Sequence, residues 1–170
     1  MENIIELIEK GDLEGLKEKY NGNEDIDLSC NEEEAFIVAC RVGFLGICKW
    51  LVEVKPDIDI SINKDLAFRR ACGEGFIEVC EWLLEIKPSI DISADKESAF
   101  RSVCSHGHYA AARWLLEKKP ELDIRVENDI SFLSACRYKN NDIALWLAEI
   151  ENRYVVIIKD DIIYDYYVNK

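Results

Sequence analysis

The chain has 170 residues, 34 acids against 21 lysines and arginines, and a formal net charge of −13 at pH 7, so nucleic acid and anionic membrane would meet like charge first and are poor partners. With 49% hydrophobic and 10% aromatic residues the composition excludes a disordered chain, and no apolar run is long enough to cross a bilayer. The opening Met1-Glu2-Asn3-Ile4-Ile5-Glu6 lacks the basic start of a secretory signal, so a soluble intracellular protein is expected, cytoplasmic or nuclear.

Along the chain, Trp50, Trp82, Trp114 and Trp146 are all the tryptophans, each 32 residues after the last. The same interval separates Phe36, Phe68, Phe100 and Phe132, as well as Cys40, Cys72, Cys104 and Cys136. It also spaces Pro56, Pro88 and Pro120, and Gly43, Gly75 and Gly107. A fixed period of this length defines a repeat array whose units hide their apolar faces by stacking on one another. The frame gives a degenerate N-terminal unit at 1–28, full repeats at 29–60, 61–92, 93–124 and 125–156, and a closing half-unit at 157–170, all within one domain. The flanks follow it more faintly. Ile4, Ile8 and Gly11 stand 32 before Phe36, Cys40 and Gly43, and Tyr164 and Val168 stand 32 after Phe132 and Cys136.

Within a unit the apolar spacing is helical. Ala67, Phe68, Ala71 and Cys72 form a short 3.6-period stripe broken at Gly73 and Gly75; a second stripe runs through Phe76, Ile77, Val79, Cys80, Trp82, Leu83 and Ile86. Inner helices are predicted near 33–41, 65–73, 97–105 and 129–137, and outer helices near 44–54, 76–86, 108–118 and 140–150. Lys87-Pro88 stops the outer helix. Ser89-Ile90-Asp91-Ile92-Ser93 then alternates apolar and polar, which predicts an extended finger leading to the next unit. Asp65, Asp95 and Asp129 fall where a carboxylate favours a helix start.

The run Ala35-Phe36-x-x-Ala39-Cys40-x-x-Gly43-Phe44-Leu45-x-Ile47-Cys48-x-Trp50-Leu51, with its copies, resembles the ankyrin repeat, and the resemblance covers nearly the whole chain. It implies an all-α helix-turn-helix solenoid of four full 32-residue repeats between an N-terminal capping repeat and a C-terminal half-repeat. The period is one short of the family's usual 33, the family's threonine-proline is missing, and its second alanine is Cys in all four full repeats. That Cys, with a Trp in the outer helix and Lys-Pro after it, is similar to ankyrin proteins of giant DNA viruses of amoebae, whose place would be the host cytoplasm.

Seven cysteines raise the question of disulfides or metal. Equivalent residues of adjacent repeats lie roughly 8–10 Å apart, too far for a disulfide or shared zinc. Cys40 with Cys48, and Cys72 with Cys80, face one another within a unit, but Ala112 and Ala144 replace the second cysteine later. Buried reduced filler is therefore expected, with a cysteine-based redox or metal switch as the alternative. Two histidines, His106 and His108, argue against metal ligation, and no cofactor is expected. No phosphate loop, CxxC, His-Glu-x-x-His or nucleophile elbow is present, and Ser105, His106 and Asp95 do not converge as a triad. The expectation is a protein without enzymatic activity.

Charge is unevenly placed. The inner-helix stretches 35–42, 67–74, 99–106 and 131–138 carry Arg41, Arg69, Arg70, Arg101 and Arg137 against Glu74 alone, a strip of +4 in a chain of −13. The family resemblance puts inner helices and fingers on a concave face, so a basic groove able to hold carboxylates is implied. Two alternatives stay open: the arginines are free for a partner, or finger acids such as Asp57, Asp59, Asp91 and Asp123 neutralise them, Arg69 and Arg101 above all. The pairs Arg41-Val42, Gly73-Glu74, Ser105-His106 and Arg137-Tyr138 differ in chemistry on a repeated frame. With Arg70 they make the candidate surface Arg41, Val42, Arg70, Glu74, Ser105, His106, Arg137 and Tyr138. The expected role is a protein-binding scaffold, monomeric, taking an acidic segment; a self-associating structural protein is the competing reading. In the tail, Val155–Ile158 are expected to continue the finger and Asp160-Asp161 to start a last inner helix whose Tyr164 and Val168 cover the open end. Tyr166 and Tyr167 would then face solvent.

Overall fold

Helices follow one another in pairs, as the period requires, in the computed structural model, which describes residues 3–21 and 30–169, with residues 30–32 as backbone only. Along the described residues run α1 (Ile4–Lys10), α2 (Leu13–Tyr20), α3 (Cys30–Val42), α4 (Leu45–Val54), α5 (Ile62–Gly73), α6 (Ile77–Ile86), α7 (Ala94–His106), α8 (Tyr109–Lys118), α9 (Val126–Arg137) and α10 (Asn141–Ile150). Two strands follow, β1 (Tyr154–Lys159) and β2 (Ile162–Val168). The helices match the predicted inner and outer stretches to within a few residues. The boundary expected at 28/29 lies outside the described residues. No helix among those described is long and apolar enough to cross a membrane.

Two compact units are distinguished: the chain to Ala71 with Phe76–Asp91, and Cys72–Gly75 with Ile92 onward. In the first, Asn3 and Glu6 form a reciprocal capping box that starts α1, and the core is Phe36, Cys40, Cys48, Leu51, Phe68, Cys80 and Leu83, all wholly buried. In the second, Phe100, Cys104, Leu115, Phe132 and Leu147 play the same parts. The periodic Phe and Cys residues are thus buried in every full repeat, and burying each large apolar side chain stabilises by roughly 1.5–3 kcal/mol. Trp50 and Trp114 are buried and Trp82 and Trp146 half-buried. Each ring meets a different neighbour. Trp50 takes the edge of Tyr20, Trp82 tilts against Phe36, Trp146 takes the edge of Tyr109, and the Lys118 ammonium lies over Trp114.

The segment between repeats differs from the predicted extended finger. It forms turns, anchored by one buried apolar residue each at Ile58, Ile90 and Leu122. The inner helix then opens on a left-handed turn of three residues: Asn63-Lys64-Asp65, Asp95-Lys96-Glu97 and Glu127-Asn128-Asp129, with φ between +52° and +64°. Non-glycine residues there cost about 1–2 kcal/mol each, so something must hold the turn. Arg69 does so in the first unit: its Nε donates to the Lys64 carbonyl at 2.8 Å and its Nη2 to the Asn63 carbonyl at 2.7 Å. The buried Asp65 carboxylate meanwhile accepts the Asp91 amide at 3.2 Å. In the second unit Arg101 donates to the Asp95 carbonyl at 3.1 Å. Asp129 is used in the same way as Asp65, its two oxygens accepting from Tyr154 and Arg153 of the segment that follows α10.

The C-terminal tail departs most from expectation. Instead of a last inner helix starting at Asp160-Asp161, these two residues are the left-handed turn (φ +52° and +59°) of an antiparallel hairpin pairing Tyr154 with Val168 and Lys159 with Ile162. The physical reason is local. A tail of Val, Ile and Tyr favours strand over helix, and a two-residue turn with positive φ at both positions matches the twist of a hairpin. The residues covering the last inner helix change accordingly. Tyr154 stacks on Phe132 at 4.2 Å and 6°, Tyr166 meets the same ring edge-on at 6.3 Å, and Ile163 is buried. Tyr164, expected in the cap, is 72% exposed, and Val168 is only half-buried.

Candidate functional site: the exposed faces of the inner helices

Each inner helix buries its Phe and Cys, so its opposite face is left to solvent. In the second unit that face carries Ser98, Ser102 and Ser105, spaced by four and three residues on α7 and therefore aligned along one side of it. Ser134 on α9 and Tyr138, the residue that ends it, are four apart in the same way. Together with Arg101 and His106 they line a cleft of about 540 Å³ that contains no acid. Ser105 Oγ donates to the Ser102 carbonyl at 2.9 Å. Arg101 is tied down by its Nη2, which donates to the Asp95 carbonyl, while its Nε is buried with no hydrogen-bond partner.

In the first unit a groove of about 460 Å³ is lined by Glu34, Ile37, Val38 and Arg41 of α3 and by Asn63, Leu66 and Arg70 of α5. Arg41 is not bare there: its Nη2 donates to Glu9 at 2.9 Å, one repeat earlier. Both groups are partly exposed to water, so the pair contributes at most about 0–1 kcal/mol and an incoming carboxylate can compete for it.

Of the sequence-derived candidates, Ser105, His106 and Tyr138 come together in the cleft of the second unit, and Arg41 and Arg70 in the groove of the first. Val42 is half-buried and lines neither. Arg137 is exposed at the end of α9, outside the cleft lining. Glu74 lies on the turn after α5 near the two histidines. Sequence reasoning missed Ser98, Ser102 and Ser134; their helical spacing was the available signal. Arg69 and Arg101, which one alternative pointed into the finger, donate to carbonyls of the left-handed turn that opens their own helix.

Six cysteines among the described residues, Cys40, Cys48, Cys72, Cys80, Cys104 and Cys136, are buried and free of disulfides. Cys40 Sγ lies 3.7 Å from Cys48 Sγ with both residues wholly buried, and burial, then the contact with Cys48, pushes the Cys40 thiol well above the usual range. Burial likewise raises Cys104, and Cys136 to about 12. A thiol held protonated is a poor nucleophile and metal ligand.

The helix pairs, the buried repeat positions and the turns between them are those of a repeat solenoid. A family model for ankyrin repeats in three copies matches residues 4–96, and the chain belongs to the ankyrin repeat family. Among solved structures it is similar to the crystal structure of the human ASB11 ankyrin repeat domain, at 19% identity and a TM-score of 0.64 over 88% of this chain and 69% of that one. Among curated protein sequences none matches. Ankyrin repeats are generally protein–protein interaction modules.

Proposed function

We propose that the chain is a non-catalytic scaffold which binds a partner protein through the exposed faces of its inner helices, taking an acidic or carboxylate-bearing segment. The observation that carries this reading is the cleft of the second unit, whose lining has four serines, Tyr138, His106 and Arg101 but no acid, in a chain whose net charge is −13. Arginine forks suit carboxylates, and tyrosine and arginine are the residue types that most often dominate interface energy. Arg137 adds basic character to the second unit outside the cleft, Arg41 and Arg70 do so in the groove of the first, and reduced buried thiols suit an intracellular location. A self-associating role is the second reading, favoured by the exposed Ile157, Ile162, Tyr164 and Tyr167 on the hairpin.

The test is an affinity series against a partner captured at low and moderate salt. Arg137→Glu and Arg70→Glu weaken binding more than the alanine changes do, and the loss shrinks as salt rises. Parental affinity in both reversals, with loss on changing outer-helix charges, would overturn the reading.

A further inference from the structure

We propose that Glu74, His106 and His108 form a binding site for a divalent transition-metal ion of the zinc class, with a fourth position open to water or to a carboxylate. The juxtaposition follows from the repeat. Glu74 and His106 occupy the same place in successive units, 32 residues apart, each at the end of its inner helix. His108 stands two residues further, beyond Gly107 in the left-handed conformation at φ +83°. Its ring returns onto Gly75, also left-handed at φ +80°, so closely that a Cβ at 75 would stand 2.8 Å from His108 Nδ1. Only glycine leaves room for an imidazole beside the turn that carries Glu74.

The ligand atoms of the three side chains lie within 4.8 Å of one another, and the two rings stand 6.1 Å apart, edge to face. Around zinc, bonds of 2.0–2.2 Å put tetrahedral ligand atoms about 3.4 Å apart, so the trio must draw in by on the order of 1 Å. Glu74 is exposed and its side chain can rotate to do so. A second observation points the same way. His106 Nδ1 lies 2.8 Å from the Gly73 carbonyl oxygen, which can only accept; Nδ1 therefore carries a proton, which leaves Nε2 as the ring nitrogen open to a metal ion. A ligating histidine is commonly oriented by such a bond to a backbone carbonyl. Two imidazoles and one carboxylate suit zinc, copper or nickel rather than magnesium or calcium, which take oxygen ligands. Sequence reasoning set metal aside because two histidines are too few; the third ligand comes from the preceding repeat. This site does not depend on the partner-binding reading.

The experiment is a Zn²⁺ titration of the full chain, reduced, followed by calorimetry and by the imidazole resonances. The chain has two histidines, so these resonances report on the site alone. One equivalent is expected, with both imidazoles shifting in parallel. Glu74→Gln and, separately, His108→Asn, which installs the residue the next repeat has as Asn140, each weaken binding by about tenfold or more; circular dichroism confirms the fold. Static imidazole resonances up to millimolar Zn²⁺ would overturn the proposal, as would heat of binding without imidazole shifts, which signals thiols, or a Glu74→Gln variant that binds like the parent.

Discussion

Tyr154 is where the array is closed, and its two contacts can be separated by mutation. The ring stacks on Phe132 and is 3% exposed, while its hydroxyl donates to Asp129 Oδ1 at 2.8 Å. Tyr154→Phe keeps the stack and deletes the hydrogen bond. Bonds to charged groups are worth about 1.5–3 kcal/mol, but Arg153 Nη2 stays 3.3 Å from the other Asp129 oxygen and relieves part of the loss. The low end is expected, about 1.5–2 kcal/mol, which lowers the thermal midpoint of a domain this size by about 3–8 °C. Tyr154→Ala also empties the site over Phe132, and losing a large buried ring costs roughly 3–5 kcal/mol. In a repeat array the damage stays near the affected interface, so hydrogen exchange should quicken in α9, α10 and the hairpin before α3 or α4. Thermal melts of both variants with exchange by mass spectrometry make the assay. Midpoints equal within 1 °C for Tyr154→Phe and parent would show that the hydroxyl anchors nothing. An alanine variant no worse than the phenylalanine one would show the same of the stack.

Stability should fall as pH rises from about 8.5, the ordinary thiol pKa, because Cys40, Cys104 and Cys136 have raised pKa values in the folded chain and ionise first in the unfolded one. The unfolded state then binds fewer protons, and the slope of stability with pH is negative. Urea midpoints at pH 7, 8.5 and 10 check this: Cys104→Ala should flatten the decline, and a level profile would contradict the burial of the thiols. Gly43→Ala should cost at least about 1–2 kcal/mol, since alanine is disfavoured at φ +79° and its Cβ would fall 2.3 Å from the Phe76 ring; a neutral effect on the urea midpoint would mean that the turn can relax.

What the sequence made legible was whatever burial repeats. Phe36, Phe68, Phe100 and Phe132 recur because each fills the same wholly buried place, and the helices around them follow from the 3.6-residue stripe. The left-handed turns were not legible, because Asn63-Lys64-Asp65 and Glu127-Asn128-Asp129 are ordinary polar triplets whose conformation depends on hydrogen bonds from residues outside them, Arg69 and Asp91 for the first and Arg153 and Tyr154 for the second. The tail was misread because extending the 32-residue frame over it outweighed local propensity, although Val155-Val156-Ile157-Ile158 and Ile162-Ile163-Tyr164 announce strands. The serine face of α7 was in plain view at four- and three-residue spacing but carried no charge to draw notice.

The same distinction explains where new chemistry can arise in such a chain. A position such as Cys104 is wholly buried, and a change there is felt in packing at once, so the repeat holds it to one residue type. The place occupied by Val42, Glu74, His106 and Tyr138 ends an inner helix where the chain turns toward solvent, half-buried in the first case and exposed in the other three, and exchanges there cost typically within ±0.5 kcal/mol. Position 108 is constrained differently: its side chain must lie against a left-handed glycine of the unit before, and Phe44, Phe76 and Asn140 meet Gly11, Gly43 and Gly107 in the same way. A histidine can therefore take that place without altering the backbone, and it arrives beside whatever the free position of the preceding unit carries. Glutamate stands there in this chain, and the repeat itself supplies the convergence that a metal site needs.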